Sequence, residues 1–462
     1  MTKTTVAIIG GGITGLSAAF TLHKLGVSFC LVEAGPSLGG VVRTERRDGF
    51  LLEGGPDSIL AQKPEGLALV RELGLGDRLI PTNPDQRSVY VLRGGQLHAL
   101  PEGMLLAIPT KILPLLRSGL FSWPGKLRMG LDLVIPGRSG SADESIASFL
   151  RRRFGQESVE RLGEPLLAGI HAGDPERLSI LGTFPRFREL EKRYGSLVRG
   201  MWKAPRPRRA PGEKPPPAFY SLRCGLRELV DALVLRLPHE SIVTRMPVRA
   251  IQRDGASYRL SLDRQEVVAA ERVIVAAPGP RIAPALAGLA PEAARALGAV
   301  PFASSATVAL GYRREDVAHA LDGYGMVVPR TEGLRTTALS FVSTKFAHRA
   351  PEGHVLLRGF LGGARDEAVL ALSDEDMVQT VEADMTPILG LRGRPVMTRV
   401  FRWPHGTPQL EVGHLERMDA LEQLLQQRAP GLVVTGAGIR STGIPDSVAE
   451  GVRAAQAVSG GL

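Results

Sequence analysis

Two cysteines, Cys30 and Cys224, are all that the 462-residue chain contains, and they stand far apart. That scarcity excludes a disulfide framework and a thiol relay, and it fits a reducing compartment. No group of His, Cys and Asp shows metal-ligand spacing, so no metal is expected. Apolar runs are broken by Gly, Pro or a charge before the roughly 20 residues that a membrane span needs. The opening MTKTTVAIIGGG is too short and too glycine-rich for a secretory signal. These absences together point to a cytoplasmic location. Aromatic residues make up only 5%, and the basic surplus of +10 is partly concentrated in residues 186–214. That run lacks interleaved strand aromatics, a zinc pattern and a recognition helix, so nucleic acid is not the expected partner.

The length is that of two or three domains. Residues 4–10 (TTVAIIG) form a buried apolar strand ended by glycine, and 14–25 carry helical spacing through Leu16, Ala19, Phe20 and Leu25. Residues 28–33 (SFCLVE) complete a βαβ unit, which implies a doubly wound parallel sheet. ERVIVAAPGP (271–280) and PGLVVTGAG (430–438) resemble later returns to that sheet. Between them, 104–205 reads as helices broken by Pro109, Pro114, Pro124 and Pro136, and 301–365 reads as strands. The expected class is α/β with α+β insertions: a discontinuous Rossmann-type nucleotide domain with other domains inserted. The expected division is 1–85, 211–280 and 401–462 for the nucleotide domain. Residues 86–210 are assigned to a helical insert and 281–400 to a substrate domain.

Gly10-Gly11-Gly12-Ile13-Thr14-Gly15 fits G-x-G-x-x-G, with a strand before it and a helix after it. Gly10 permits the tight turn, Gly12 lets backbone approach a pyrophosphate, and Gly15 allows close helix–strand packing. Glu33, at the end of the second strand, is placed to accept hydrogen bonds from ribose hydroxyls, which favours FAD or NAD over NADP. A second glycine pair, Gly39-Gly40, and the turn Gly54-Gly55-Pro56-Asp57-Ser58 follow closely. They suit a chain that wraps a longer cofactor, so FAD is expected. Pro278, Gly436, Gly438 and Gly443 are further turn points. No second dinucleotide fingerprint is visible, so an organic substrate would reduce the flavin and oxygen or another small acceptor would reoxidise it. Isolated histidines such as His98, His171 and His405 are taken as surface or structural residues.

The motifs GFLLEGGPDSIL (49–60), EPLLAGIHAGDPERLSILGTFP (164–185), RWPHGTPQLEVGHLER (402–417) and TGAGIRSTGIPDSVAEG (435–451) carry more information. With LHALPEGMLLAIPTKILPLLRSGLFSWPGK (97–126), they resemble the oxygen-dependent protoporphyrinogen/coproporphyrinogen III oxidases. These are flavoproteins of the p-hydroxybenzoate hydroxylase and amine oxidase type. The middle of the chain resembles the Gram-positive branch, which implies coproporphyrinogen III as substrate, with protoporphyrinogen IX as the alternative. An amine or polyene oxidase of the same fold, and a binding protein without catalysis, are the rival readings.

The resemblance implies that Gly10 to Gly15, Glu33, Ala34, Gly40 and Val41 hold the ADP side of non-covalent FAD, with Val248 backing the adenine. It places Gly55, Pro56, Asp57 and Ser58 along the flavin end, and Trp403, Thr442, Gly443 and Ile444 against the ring. Arg87 and Lys63 would meet substrate carboxylates. No residue is nominated as a catalytic acid or base, because flavin N5 accepts the hydride. Neighbouring enzymes of haem synthesis are implied as further partners of the protein, and contact with a membrane surface is implied for the insert. Its apolar set Met104, Leu105, Leu106, Leu116, Leu120, Phe121 and Trp123, flanked by Lys111, Arg117, Lys126 and Arg128, either seats on an anionic surface or packs inside the insert. The chain departs from the family pattern at Arg440, Ser441 and Thr407–Leu410, and Ser447 stands where covalent amine oxidases carry cysteine.

Overall fold

The computed structural model describes residues 2–203, 217–440 and 442–460. The later part of the basic run, from 204 on, and Ser441 lie outside the described residues.

The strand Thr2–Ile9 lies between Phe29–Val32 and Val267–Val275, all parallel, with Val6 facing Phe29 on one side and Arg272 on the other. Val6, Ala7 and Ile8 are fully buried because helices cover both faces, which is why the second half of this strand, residues 6–9, is an unbroken apolar run. Ile242–Val243 and Leu432–Val434 extend the parallel part, and Val248–Asp254 and Ser257–Leu262 add an antiparallel pair. One face packs against the helices Ile13–Lys24, Arg227–Val234 and Ile444–Ser459. The other packs against Gly279–Leu286, Pro291–Gly298 and His414–Arg428. The expected helix therefore forms, but Leu25 follows its end and is 54% exposed.

A second sheet of seven strands runs, in spatial order, Met397–Pro408, Phe302–Arg313, His354–Gly362, Ala338–Phe341, Gly323–Val327, Ser88–Arg93 and Gln96–Ala99. The helix Asp374–Leu389 covers one face. Strand Phe50–Glu53, which pairs with Thr44–Arg47 in a separate hairpin, brings Phe50 and Leu52 against Phe401 on the other side.

Two segments pair or pack across the expected division. Residues 88–99 form a hairpin that pairs with Gly323–Val327, so they belong to the second sheet and not to the helical insert. The helices 279–286 and 291–298 bury their apolar faces on the first sheet and not in the substrate domain. Within the insert, Met104–Leu105 and Ile108–Pro109 form a two-stranded ladder where a helix is expected. Pro114 sits inside the helix Ile112–Arg117, and Pro124 is at the start of Trp123–Gly130, where its missing N–H costs nothing. Arg153, fully buried, crosses the insert core to Asp132, with Nε–Oδ1 at 2.6 Å.

Candidate functional site

The glycines of the first turn differ in what surrounds them. A Cβ at Gly10 would lie 2.7 Å from the Ala276 carbonyl, at Gly11 2.4 Å from Leu38 Cδ2, and at Gly15 1.9 Å from the Gly10 carbonyl. Gly10 also has φ +106°, a conformation that L side chains rarely adopt. Gly12 is the exception: nothing lies within 4 Å of its Cβ position, and its φ is −71°. Backbone packing thus demands glycine at Gly10 and Gly15, the Leu38 side chain crowds Gly11, and Gly12 borders open space. Gly12 is also the N-cap of the first helix, whose start has no side-chain cap and no acidic residue in its first turn. Its orphan amides and dipole are therefore available to an anion.

Glu33 accepts hydrogen bonds from the Gly11 N–H at 2.7 Å and the Gly35 N–H at 2.6 Å, one on each carboxylate oxygen. Its backbone pairs with Val243 and Met246, which brings the segment leading to Val248 alongside. Ala34 is exposed. Gly39 donates to the Gly11 carbonyl at 2.8 Å, and a Cβ at Gly40 would sit 3.3 Å from Gly12 Cα. The second glycine pair is thus docked on the first turn. Val41 is 46% exposed, and its carbonyl packs so closely on Gly55 that a Cβ there would be 1.9 Å away.

The next turn, Gly54 to Ser58, is clamped from several sides. The Gly54 carbonyl accepts from Arg358 Nη2 at 2.9 Å, Trp403 Nε1 at 2.9 Å and Thr307 Oγ1 at 3.1 Å. Arg358 also donates to the Gly55 carbonyl at 2.6 Å. Asp57 pairs with Lys345 at 2.7 Å and accepts from Ser58 Oγ. Burial alone would raise the Asp57 carboxyl, but Lys345 and Arg358 hold it down at about 2. The neighbouring Glu53 is the reverse case. Burial outweighs its bonds from Thr44 and the Leu226 N–H, and pushes its carboxyl up to about 7.

The last turn lies beside the first. Gly436 packs on Thr14, and a Cβ at Gly451 would lie 2.2 Å from the Thr14 carbonyl, so the helix from Ile444 runs close against the first helix. That helix starts at Gly443 without a side-chain cap, with Ile444 buried and Thr442 exposed. Arg440, one of the departures from the family pattern, pairs with Asp419 and Glu422 on the helix His414–Arg428, the latter at 2.9 Å, and two carboxylates hold its guanidinium there. Gln409, in the other atypical segment, is buried and donates to the His171 carbonyl at 3.1 Å. Burial, aided by Lys63, holds the His171 ring down near 4, so it is neutral at physiological pH.

A family model described as flavin-containing amine oxidoreductase matches residues 13–459. The chain belongs to that family. It is 39% identical to the coproporphyrinogen III oxidase of Bacillus subtilis, over 97% of this chain and 96% of that protein. It is 30% identical to the chloroplastic protoporphyrinogen oxidase of Nicotiana tabacum, over 98% of this chain and 85% of that one. A solved Exiguobacterium chain, provisionally assigned as a protoporphyrinogen oxidase, superposes with a TM-score of 0.87 at 32% identity, covering 100% of this chain and 99% of that one. This flavin oxidoreductase therefore has the fold expected from its sequence.

The residues fit a flavin cofactor. The open flank at Gly12 and two uncapped helix starts offer backbone donors, and the turn clamped by Arg358 and Trp403 is held rigid beside Val41. The two cations expected to meet substrate are not equivalent. Lys63 already holds Asp446 at 2.6 Å, near the start of the last helix. Arg87 is exposed and its Nε donates to the Pro84 carbonyl at 2.8 Å, which leaves other guanidinium donors to a ligand.

Lys345, Arg358 and Thr307 were not singled out from the sequence. Arg358 did carry a signal, since it interrupts the buried run HVLLRGFLGG. A charge inside such a strand needs a partner. Lys345 and Thr307 carry no local signal.

Glu53 yields a pH prediction. Its folded-state carboxyl titrates near 7 against an ordinary 4.5, so the folded form binds the proton more tightly than the unfolded form. Stability contributed by this group falls as pH rises from about 4.5 to about 7, and stays low above. Glu53→Gln should remove that fall, which amounts to up to about 3 kcal/mol between acid and alkaline pH. Melting curves between about pH 5 and pH 8 check it; an unchanged slope would refute the assignment.

Proposed function

We propose that this flavin oxidoreductase binds FAD non-covalently and oxidises coproporphyrinogen III to coproporphyrin III, with oxygen as electron acceptor. The observation that carries the reading is its near full-length similarity, at 39%, 34% and 33% identity, to three bacterial coproporphyrinogen III oxidases. Flavin, when bound, supplies the hydride acceptor. The chain's own part is to hold and orient: Gly10 to Gly15, Glu33, Gly40 and Val41 along the ADP side, and Gly55 to Ser58 with Trp403 and Gly443 along the ring. The state of the two thiols and the residue in the last turn support non-covalent attachment. Cys30 is buried with its pKa pushed up to about 11, Cys224 accepts from Arg78, and the last turn carries Ser447.

Aerobic assays should show coproporphyrin fluorescence growing with hydrogen peroxide, and kcat/KM higher for coproporphyrinogen III than for protoporphyrinogen IX. The reverse preference would move the substrate to the two-propionate ring and keep the oxidase. Coproporphyrinogen III bears four propionates, so cations matter more for it. Arg87→Ala should raise its KM about tenfold, or ~1.4 kcal/mol, with little change in kcat. An unchanged KM removes Arg87 from the substrate site.

Among the described residues no helix is long and apolar enough to cross a membrane. The insert nonetheless exposes Ile112, Leu113, Trp123, Leu127 and Val134, with Trp123 at 65% and Leu127 at 73%. Leu120 and Phe121, expected in the same set, are buried in the insert core. Lys126 is also inward, donating to the Leu116 carbonyl and lying over the Trp123 ring. Docking of this face on a membrane surface is thus carried by Trp123, Leu127 and their exposed neighbours. Flotation with anionic liposomes should retain the wild type and release Trp123→Ser/Leu127→Ser; equal behaviour of the two would reject the docking.

A further inference from the structure

We propose that Lys345 and Arg358 are positioning residues that set the reduction potential of the bound flavin, by holding surplus positive charge beneath the Gly54–Ser58 turn. The inference rests on the flavin reading above and goes beyond it by naming what tunes the ring.

Charge in this region does not balance. Arg358 and Arg349 are 6% and 1% exposed, and the Lys345 side chain is 15% exposed. Opposite these three cations stand Asp57, firmly ionised, and Glu53, half protonated near neutrality. Each cation is fixed rather than mobile. Lys345 Nζ holds Asp57 and lies 5.2 Å from the Phe346 ring centre. Arg358 grips the Gly54 and Gly55 carbonyls and lies over Phe360 at 4.9 Å. Arg349 reaches Ser221 Oγ at 2.9 Å, and that hydroxyl donates to the Asp57 carbonyl at 2.8 Å. Arg358 Nε and Arg349 Nε are buried without an acceptor among the described residues. Buried positive charge of this kind is costly unless an anion answers it. None of these side chains is free to swing out to a substrate, so the answering charge must arrive at the turn they hold.

The proposed reaction supplies such a charge. Hydride leaving a substrate carbon carries two electrons and one proton to the flavin, while a pyrrole N–H proton leaves to solvent. The flavin thereby gains one negative charge unless a second proton joins it. Fixed cations in a poorly solvated region favour that anion and raise the potential.

Sulfite tests this without substrate, because it adds an electron pair to oxidised flavin and leaves an anionic adduct. Purified flavin-bound protein should be titrated with sulfite, and its midpoint potential read against a reference dye. Lys345→Met should weaken sulfite binding about tenfold, a shift of about 30 mV for a two-electron couple. Asp57→Asn should shift both readings the opposite way. The double variant should return towards wild type, and Lys345→Arg should behave as wild type. Mere loosening of the turn would weaken sulfite binding in both single variants, and that result would overturn the proposal. So would unmoved sulfite binding in Lys345→Met or, if that variant loses flavin, a double variant far from wild type. Colourless wild-type protein would instead remove the flavin reading, and this inference with it.

Discussion

Gly12→Val should yield a folded protein that no longer retains flavin. The position has φ −71°, which valine accepts, and no atom within 4 Å of the new Cβ. The side chain would instead occupy the groove beside the uncapped helix start, displacing the close backbone approach that a pyrophosphate requires. A loss of at least about 100-fold, or ~2.7 kcal/mol, is expected. Gly10→Ala is the control with the opposite fault. Its φ is +106° and the new Cβ would be 2.7 Å from the Ala276 carbonyl, so the fold itself should suffer. Circular dichroism and the flavin-to-protein absorbance ratio separate the two. A Gly12→Val protein that keeps a full complement of flavin would remove this turn from the cofactor site.

Arg153→Met should be the most damaging single change outside the groove. The guanidinium is completely enclosed and meets Asp132 together with the carbonyls of Ile135, Pro136 and Gly195. Asp132 in turn accepts from Ser196 Oγ at 2.6 Å and the Val198 N–H at 3.0 Å. Removing the cation alone strands a buried carboxylate, which costs about 3–5 kcal/mol. The melting midpoint should fall by at least about 5 °C. Arg153→Met/Asp132→Leu should recover part of that loss, since no charge is then stranded. A single variant with wild-type melting would contradict the reading of this pair.

Much of the nucleotide domain was legible because its signals are local. A strand ending in an apolar run, a glycine turn, a helix and a second strand lie within 33 residues, and the returning strands at 267–275 and 432–434 carry similar apolar runs. What stayed hidden depends on distant partners. Val89, Tyr90 and Val91 read as strand residues, but nothing nearby says that they pair with Gly323–Val327. The helices 279–286 and 291–298 are visibly amphipathic, yet which sheet receives their apolar faces is a tertiary matter. Arg440 shows the same limit: its partners Asp419 and Glu422 sit on a separate helix, so spacing could not reveal the pairing. The support of the 54–58 turn by Lys345, Arg358 and Thr307 was missed for that reason, since those residues are about 250 to 300 positions away.

Anaerobic reduction by substrate tests the central claim most directly. Protein with oxidised flavin should be mixed, without oxygen, with coproporphyrinogen III and separately with protoporphyrinogen IX, and the flavin absorbance followed. Rapid bleaching by coproporphyrinogen III, slower bleaching by protoporphyrinogen IX and full recovery on admitting air are expected. Flavin that stays oxidised with both porphyrinogens would contradict the account.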